Sequence, residues 1–252
     1  MKPHRTVVIR RSEAANAIQA MLATTPKASA ADDAREMVER VRATPPKQER
    51  SLKTLNRLLD AAERVIEEGG LDAATVPAIA KRAGVSVGVV YRRFKNKDAL
   101  IRGVYERLLW RVSEQNSMML AALSQAKYPL HDLLRGVIHG AVEGNRRKRN
   151  LLYSLFQYAR THKDAAMRRE AGKINRASTA AFTALMLTHR DQIKHPDPEE
   201  AIQFAVLTLA AVIRSVIIEE EGTHGLDAPA NLEDELSRMI FGYLGISDRS
   251  GK

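Results

Sequence analysis

The chain has 252 residues, enough for one large domain or two small ones with a buried core. Its 40 Lys and Arg residues against 30 Asp and Glu give a formal net charge of +10, which attracts polyanions such as nucleic acid or an anionic membrane surface. The absence of cysteine excludes disulfides, thiolate metal sites and cysteine nucleophiles, and it is compatible with a reducing cytoplasm.

The overall pattern predicts an all-α protein. Strand signals are scarce, and apolar residues recur three and four positions apart. Residues 1–50 are expected to be a flexible basic extension with no apolar signal region. The most hydrophobic tract, Phe204 to Ile218, is interrupted by polar residues and is expected to be too short to span a bilayer. These features predict a soluble cytoplasmic protein.

Two helices are predicted at the start of the globular part. The first begins near Ser51 and stops at the glycine pair Gly69 and Gly70, a C-cap signal. Its apolar stripe consists of Leu52, Leu55, Leu58, Leu59, Ala62, Val65 and Ile66. The second helix opens with Thr75 as N-cap and ends at Gly84. It is expected to bury Ile79, Ala80 and Ala83.

A short third helix is predicted from Val87 to Phe94, with Ser86 as its N-cap. At 100° per residue, Val87, Val90 and Phe94 point to the core. The outward face then consists of Gly88, Val89 and Arg92, flanked by Tyr91 and Arg93. A fourth helix starts after Asn96, with Leu100, Val104, Leu108 and Trp110 facing inward.

The second and third helices have the layout of a helix-turn-helix, two short helices joined by a glycine-containing turn. Six basic residues and no acidic residue occur from Lys81 to Lys97. These charges are expected to lie beside DNA phosphates. The alternative is a helical hairpin whose basic face is only solvated, but the caps, the glycine and the core positions coincide with the DNA-binding layout.

The same stretch resembles the N-terminal domain of the tetracycline-repressor (TetR) family, from Leu52 to about Leu109. The resemblance rests on Thr75-Val76, Ile79-Ala80, Ala83-Gly84-Val85-Ser86, Gly88, Val90-Tyr91, Phe94, Lys97 and Ala99-Leu100. It implies phosphate contacts from Ser86, Tyr91, Arg93 and Lys97, and base contacts from Val87, Gly88, Val89 and Arg92; Thr75 is included among the DNA-binding residues. Pro77 and Ala78 depart from the family's polar residues before Ile79. The two valines favour contacts with thymine methyls, and Arg92 favours guanine.

The remainder of the chain is predicted to form five or six longer amphipathic helices. In the last two helices, apolar residues follow a repeat of four and three, which favours a self-complementary dimer face. These residues are Ile202, Val206, Leu209, Ile213 and Val216, followed by Leu232, Leu236, Met239, Ile240 and Tyr243. An internal core of one subunit is the alternative.

The family resemblance also implies a small-molecule pocket between the DNA-binding and dimer regions. The candidate lining residues are Trp110, Met118, Met119, Tyr153, Phe156, Gln157, Tyr158, Phe182 and Met186. Each of them can equally be ordinary core. The seven histidines show no metal-binding spacing, so neither a metal nor a cofactor is expected.

The sequence thus predicts a flexible extension (1–50), a helix-turn-helix domain (51–109) and a ligand-binding and dimerisation domain (110–252). The predicted function is a dimeric transcriptional repressor that a small molecule releases from a palindromic operator. Two alternatives remain: an architectural DNA-binding protein without an inducer, and a helical enzyme with an incidental basic face. Against the enzyme alternative, the sequence has no identifiable nucleophile, phosphate loop or metal constellation.

Overall fold

The computed structural model describes residues 49–126, 128–162, 165–218 and 229–247, with side chains from residue 52 onward. The predicted extension therefore lies almost entirely outside the described residues. The described ranges are helical throughout and contain no strand, which confirms the all-α fold. The helices are α1 (Glu49–Ala73), α2 (Val76–Ala83), α3 (Val87–Tyr91), α4 (Lys97–Ala126), α5 (Leu130–Arg147), α6 (Arg149–Thr161), α7 (Ala165–Leu187), α8 (Pro198–Ile213) and α9 (Leu232–Leu244).

The sequence signals mark the breaks in and between the first three helices, although α1 continues past its kink to Ala73 and α3 ends at Tyr91, before the predicted Phe94. Gly70 breaks the regular helix of α1 with φ at 71° and ψ at −170°, a conformation that only glycine adopts readily. The Oγ1 of Thr75 accepts a hydrogen bond from the N–H of Ala78 at 3.3 Å and caps α2. Gly84 ends α2 in the left-handed conformation, with φ at 64°. The predicted helix boundaries at these glycines are confirmed.

A first hydrophobic core lies under the N-terminal helices. The predicted stripe of α1 is buried, as are Ile79 of α2 and Leu100 of α4. Four residues of α6 and one of α7 belong to the same core, namely Leu151, Leu155, Tyr158, Ala159 and Met167. The N-terminal helices therefore share their core with helices that come much later in the chain.

A second core joins α5, α8 and α9 with the end of α4 and of α7. α4 is a continuous helix that reaches from the first core, at Leu100, to the second, at Leu123. The predicted domain boundary near Leu109 consequently falls inside α4. The two units are connected by a rigid helix here, without a linker.

The apolar stripes of α8 and α9 mostly face inward. Ile202 and Ile213 of α8 and Leu236 and Ile240 of α9 are at most 4% exposed and pack in the second core. For these residues the internal-core alternative is correct, because α8 and α9 are packed against α5. The apolar side chains left at the surface are Phe204, Leu207, Met239 and Tyr243.

α8 continues through a π-helical segment, Arg214–Ile218, and the combined helix has 21 residues. Pro198–Ile218 is the one helix of the described ranges whose length and composition alone would allow it to cross a membrane, and the tract Phe204 to Ile218 that the sequence singled out is only part of it. Length and composition alone are weak evidence, and one face of this helix lies in the second core. The same test is passed by core helices of soluble proteins.

A buried ion-pair network fastens α1 to α4. Arg107 is 1% exposed, and its Nε donates to Glu63 at 2.8 Å while Nη1 donates to Asp60 at 2.7 Å. Burial lowers the pKa of Arg107, and the charges of Glu63 and Asp60 oppose that shift. Arg111, one turn further along α4, also pairs with Glu63. Glu63 therefore holds two arginines of the neighbouring helix.

Replacing Arg107 should destabilise the protein strongly. In Arg107→Ala the carboxylate of Glu63 loses its buried partner, and breaking a buried pair costs about 3 to 5 kcal/mol. Arg111→Ala is the matched control, since this more exposed arginine should contribute no more than about 1 kcal/mol. Urea denaturation followed by circular dichroism measures both. Equal losses of unfolding free energy in the two variants would contradict the assignment of Arg107 as the main stabilising contact between α1 and α4.

Candidate nucleic-acid interface

The helix with the predicted base contacts, α3, is held by two buried anchors. Val90 and Phe94 are each 1% exposed and lie in the first core, as predicted. Val87, which the helical wheel also assigned to the core, is 37% exposed, so that assignment is wrong. α3 has only five residues, and its first turn projects beyond the core. Ser86 has the extended backbone of an N-cap but makes no side-chain capping bond.

The outer face of α3 carries a compact set of side chains. Tyr91 is 54% exposed, Val87 and Arg92 are exposed, and Val89 is half-buried. Gly88 adds no side chain, which leaves the backbone accessible between the two valines. This face therefore presents methyl groups, one phenol and one guanidinium, as the sequence predicted for Val89, Tyr91 and Arg92.

The turn between α2 and α3 is fixed by two contacts from α1. A guanidinium nitrogen of Arg57 donates to the carbonyl of Ala83 at the end of α2. Arg82 makes a two-pronged pair with Glu68, with Nη1 to Oε2 at 2.7 Å. A Cβ added at Gly84 would lie 3.1 Å from Arg57, and the left-handed backbone there strains any other residue. Arg57 was missed by the sequence analysis because nothing local indicates which carbonyl it caps.

The start of α4 lies next to the end of α1 and carries the positive charge of Lys97. The Oδ1 of Asn96 accepts from the N–H of Ala99 at 2.9 Å and caps the helix. The Nζ of Lys97 donates to the carbonyl of Leu71 at 2.8 Å, which fixes the side chain. An ammonium has three donors, so two remain for a phosphate. Arg93 is half-buried, and its pKa is lowered by burial first and by neighbouring Arg92 second.

The predicted DNA-binding residues lie in the consecutive segment from the start of α2 to the start of α4. α2 packs on α1, α3 packs on α2, and α4 begins beside them. Thr75 is exposed at the start of α2, although its Oγ1 is already used in the cap. The arrangement can place one short helix in a DNA groove with cations on both flanks.

The predicted ligand-pocket residues differ in their burial. Trp110 and Met186 are buried, whereas Met118 is 54% exposed. Phe156 lies below the guanidinium of Arg214, with Cζ 5.3 Å from the ring centroid. Tyr153, Phe182 and Met119 are half-buried against the second core, Gln157 is also half-buried, and Tyr158 belongs to the first core. No three acidic or histidine side chains come together as a metal site in the described part of the chain.

The end of α1 is bonded to the start of α6. The Oε2 of Glu67 accepts from the N–H of Leu151 at 2.7 Å, and the carbonyl of Glu67 accepts from Asn150 at 3.0 Å. Lys148 lies beside this junction, where burial lowers its pKa. At the other end of α6, the hydroxyl of Tyr158 donates to the carbonyl of Asp98 in α4 at 3.3 Å. Both ends of α6 are thus tied to the N-terminal unit.

An exposed apolar face lies on α8 and α9. Phe204 and Leu207 are 52% and 64% exposed, and Met239 and Tyr243 are 45% and 39% exposed. The rings of Phe204 and Tyr243 lie 5.5 Å apart, so the two helices contribute to one continuous patch. Large exposed apolar side chains grouped in this way are typical of a protein interface.

Two sequence profiles match the chain. One describes bacterial regulatory proteins of the tetR family and matches residues 58–104. The other describes a tetracyclin repressor-like C-terminal domain and matches residues 129–244. Together they cover more than half of the chain, on both sides of α4.

Individual relatives agree with the profiles. The chain is 24% identical over 189 residues to the HTH-type transcriptional regulator BetI of Vibrio atlanticus, covering 74% of this chain and 92% of BetI. It is 33% identical over 101 residues to the regulator AcrR of Shigella flexneri, covering 38% of this chain but only 45% of AcrR. A crystal structure of a TetR-family transcriptional regulator from Mesorhizobium loti superposes with a TM-score of 0.59 at 19% identity, covering 79% of this chain and 98% of the other. At that identity the superposition shows the fold.

Proposed function

Because the chain belongs to the TetR family of bacterial regulatory proteins and is a DNA-binding transcriptional regulator, we propose that it is a dimeric repressor released from a palindromic operator by a small molecule. The observation that supports this most is the outer face of α3, where Val87, Tyr91 and Arg92 are exposed beside the cationic start of α4. We place the DNA-binding unit at residues 51–109 and the ligand and dimer unit at 110–252. Selection of genomic DNA with the purified protein tests the proposal, since a shared palindrome is expected.

Two kinds of DNA contact are proposed within the helix-turn-helix. Ser86, Tyr91, Arg93 and Lys97 bind phosphates, while Val87, Gly88, Val89 and Arg92 meet base edges. Phosphate contacts add affinity for every sequence, and base contacts add discrimination. The fixed Nζ of Lys97 and the exposed guanidinium of Arg92 are suited to these different tasks.

Single substitutions should separate the two kinds of contact. Lys97→Ala should weaken binding to operator and random DNA alike and lower the salt slope by about one unit, because one fewer counterion is released. Arg92→Ala should cost roughly 1 to 3 kcal/mol on the operator and relax base preference at one position in each half-site. Titrations on operator and scrambled duplexes at several salt concentrations measure both. If Arg92→Ala weakens both duplexes equally, Arg92 is only a phosphate contact.

We propose that two copies of the chain associate through the exposed apolar face of α8 and α9. Phe204, Leu207, Met239 and Tyr243 leave water on association, and a twofold axis brings this face against itself. Such a dimer presents two α3 helices, which fits two half-sites of a palindrome. This face keeps Met239 and Tyr243 of the stripe that the sequence suggested and has Phe204 and Leu207 in place of its buried members.

Leu207→Glu should convert the dimer to monomers, because it places an unpaired charge in a dry interface. Met118→Glu is the matched control, since Met118 is also exposed but lies on α4, away from this face. Sedimentation of the wild-type protein and the Met118 variant should give about twice the 28.0 kDa chain mass. A dimeric Leu207→Glu variant would show that the interface lies elsewhere.

We propose that α6 connects ligand binding to release of the protein from its operator. It takes part in the first core, and the N–H of Leu151 in its first turn donates to the Glu67 carboxylate, which caps the helix. The half-buried Tyr153, Phe156 and Gln157 lie on the same helix, and Trp110, Met118, Phe182 and Met186 complete the proposed lining. A ligand that moves α6 then moves the core that holds α3.

Removing the Glu67 cap of α6 should weaken the coupling between ligand binding and release from the operator. In Glu67→Ala, a compound that releases the wild-type protein from its operator should still raise the melting temperature but should lower operator affinity less. Asp72→Ala is the control, because Asp72 is an exposed acid on the same helix. A compound screen followed by operator titration measures the coupling. An unchanged effect in Glu67→Ala would exclude this route.

The two alternatives are less well supported. An architectural protein without an inducer is favoured only if no compound shifts operator affinity. A helical enzyme has no support from the relatives, which are named as transcriptional regulators. We propose a cytoplasmic location, as for a soluble regulator that reaches chromosomal DNA.

A further inference from the structure

A basic surface lies at the corner between α6 and α7, outside the helix-turn-helix. From Tyr158 to Arg176 the sequence has six Lys and Arg residues against two Asp and Glu. Arg160, at the end of α6, and Arg168 and Arg169, near the start of α7, are exposed. These three arginines are here called the basic corner.

The basic corner is fixed against the start of α4. Tyr158 donates to the carbonyl of Asp98 at 3.3 Å, and the Nε2 of His162 lies 3.7 Å from the Oδ1 of the same residue. The rings of Tyr158 and His162 stack with centroids 3.9 Å apart. Asp98 directly follows Lys97, which is the proposed phosphate contact. The end of α6 is therefore held against the residue that follows this proposed phosphate contact.

The start of α7 is anchored on the same unit. Met167 is 3% exposed and belongs to the first core. At 100° per residue, Arg168 and Arg169 are rotated progressively away from that buried side. Lys173 and Arg176 are exposed on the same outer face further along the helix. On the same helix, Glu170 pairs with Lys173 at 3.4 Å.

We propose that the basic corner binds the DNA backbone and adds phosphate contacts beyond those of the helix-turn-helix. The inference rests on the proposed operator binding. Duplex DNA is the occupant that fits, because the corner is continuous with the start of α4 and its charge complements phosphate. Guanidinium groups are well suited to this partner, since they pair with phosphate through two parallel hydrogen bonds.

The test is a phosphate footprint combined with salt titration of full-length charge-reversal variants. Arg169→Glu and Arg160→Glu should each lower the salt slope by about one unit or more and remove protected phosphates that lie outside those lost in Lys97→Ala. Arg190→Glu, which changes the same charge on an exposed turn between α7 and α8, should leave slope and footprint unchanged. Ethylation interference on the selected operator and titrations from low to physiological salt provide the two readouts. Circular dichroism confirms that the variants are folded.

The outcomes distinguish this inference from the proposed function. If wild-type protein selects no operator, both are overturned. If wild type binds an operator and the corner variants keep its footprint and slope, the basic corner does not touch DNA and only this inference fails. Corner variants that bind DNA normally but lose regulation in cells would place an acidic protein there instead, which also overturns it.

Discussion

The arrangement of the DNA-binding face depends on the burial of Val90 and Phe94. A helix of five residues is far shorter than the roughly 12 to 15 residues that an isolated helix needs for marginal stability in water. α3 therefore keeps its shape and direction only because these two side chains are fixed in the first core. Any change in that core changes the direction in which Tyr91 and Arg92 project.

The first core is not confined to the N-terminal unit. Leu151, Leu155 and Tyr158 of α6 complete it, and Glu67 and Asp98 bond to the two ends of the same helix. The buried Arg107 in turn fastens α1 to α4, which continues into the second core. Close-packed interiors transmit displacement instead of absorbing it. In such an arrangement, a displacement of the C-terminal helices can reach α3 through packed side chains.

The sequence alone determined the fold class and the family, and it assigned Tyr91 and Arg92 to the exposed face of the helix-turn-helix that we propose to read DNA. Apolar residues at helical spacing require a buried side, so the stripe of α1 was predicted correctly. Thr75, Gly70 and Gly84 act through local backbone chemistry, which does not depend on the rest of the molecule. Val90 and Phe94 could be assigned as core from their helical spacing, as the stripe of α1 was.

The tertiary structure decided everything that depends on which surfaces meet. The apolar spacing of α8 and α9 could not distinguish an internal core from a dimer face, because both require the same pattern; packing against α5 buried Ile213 and left Leu207 exposed. Val87 is exposed because the core ends before the first turn of α3. The contact from Tyr158 to Asp98 joins residues 60 positions apart, and no local signal in the sequence encodes such a pair.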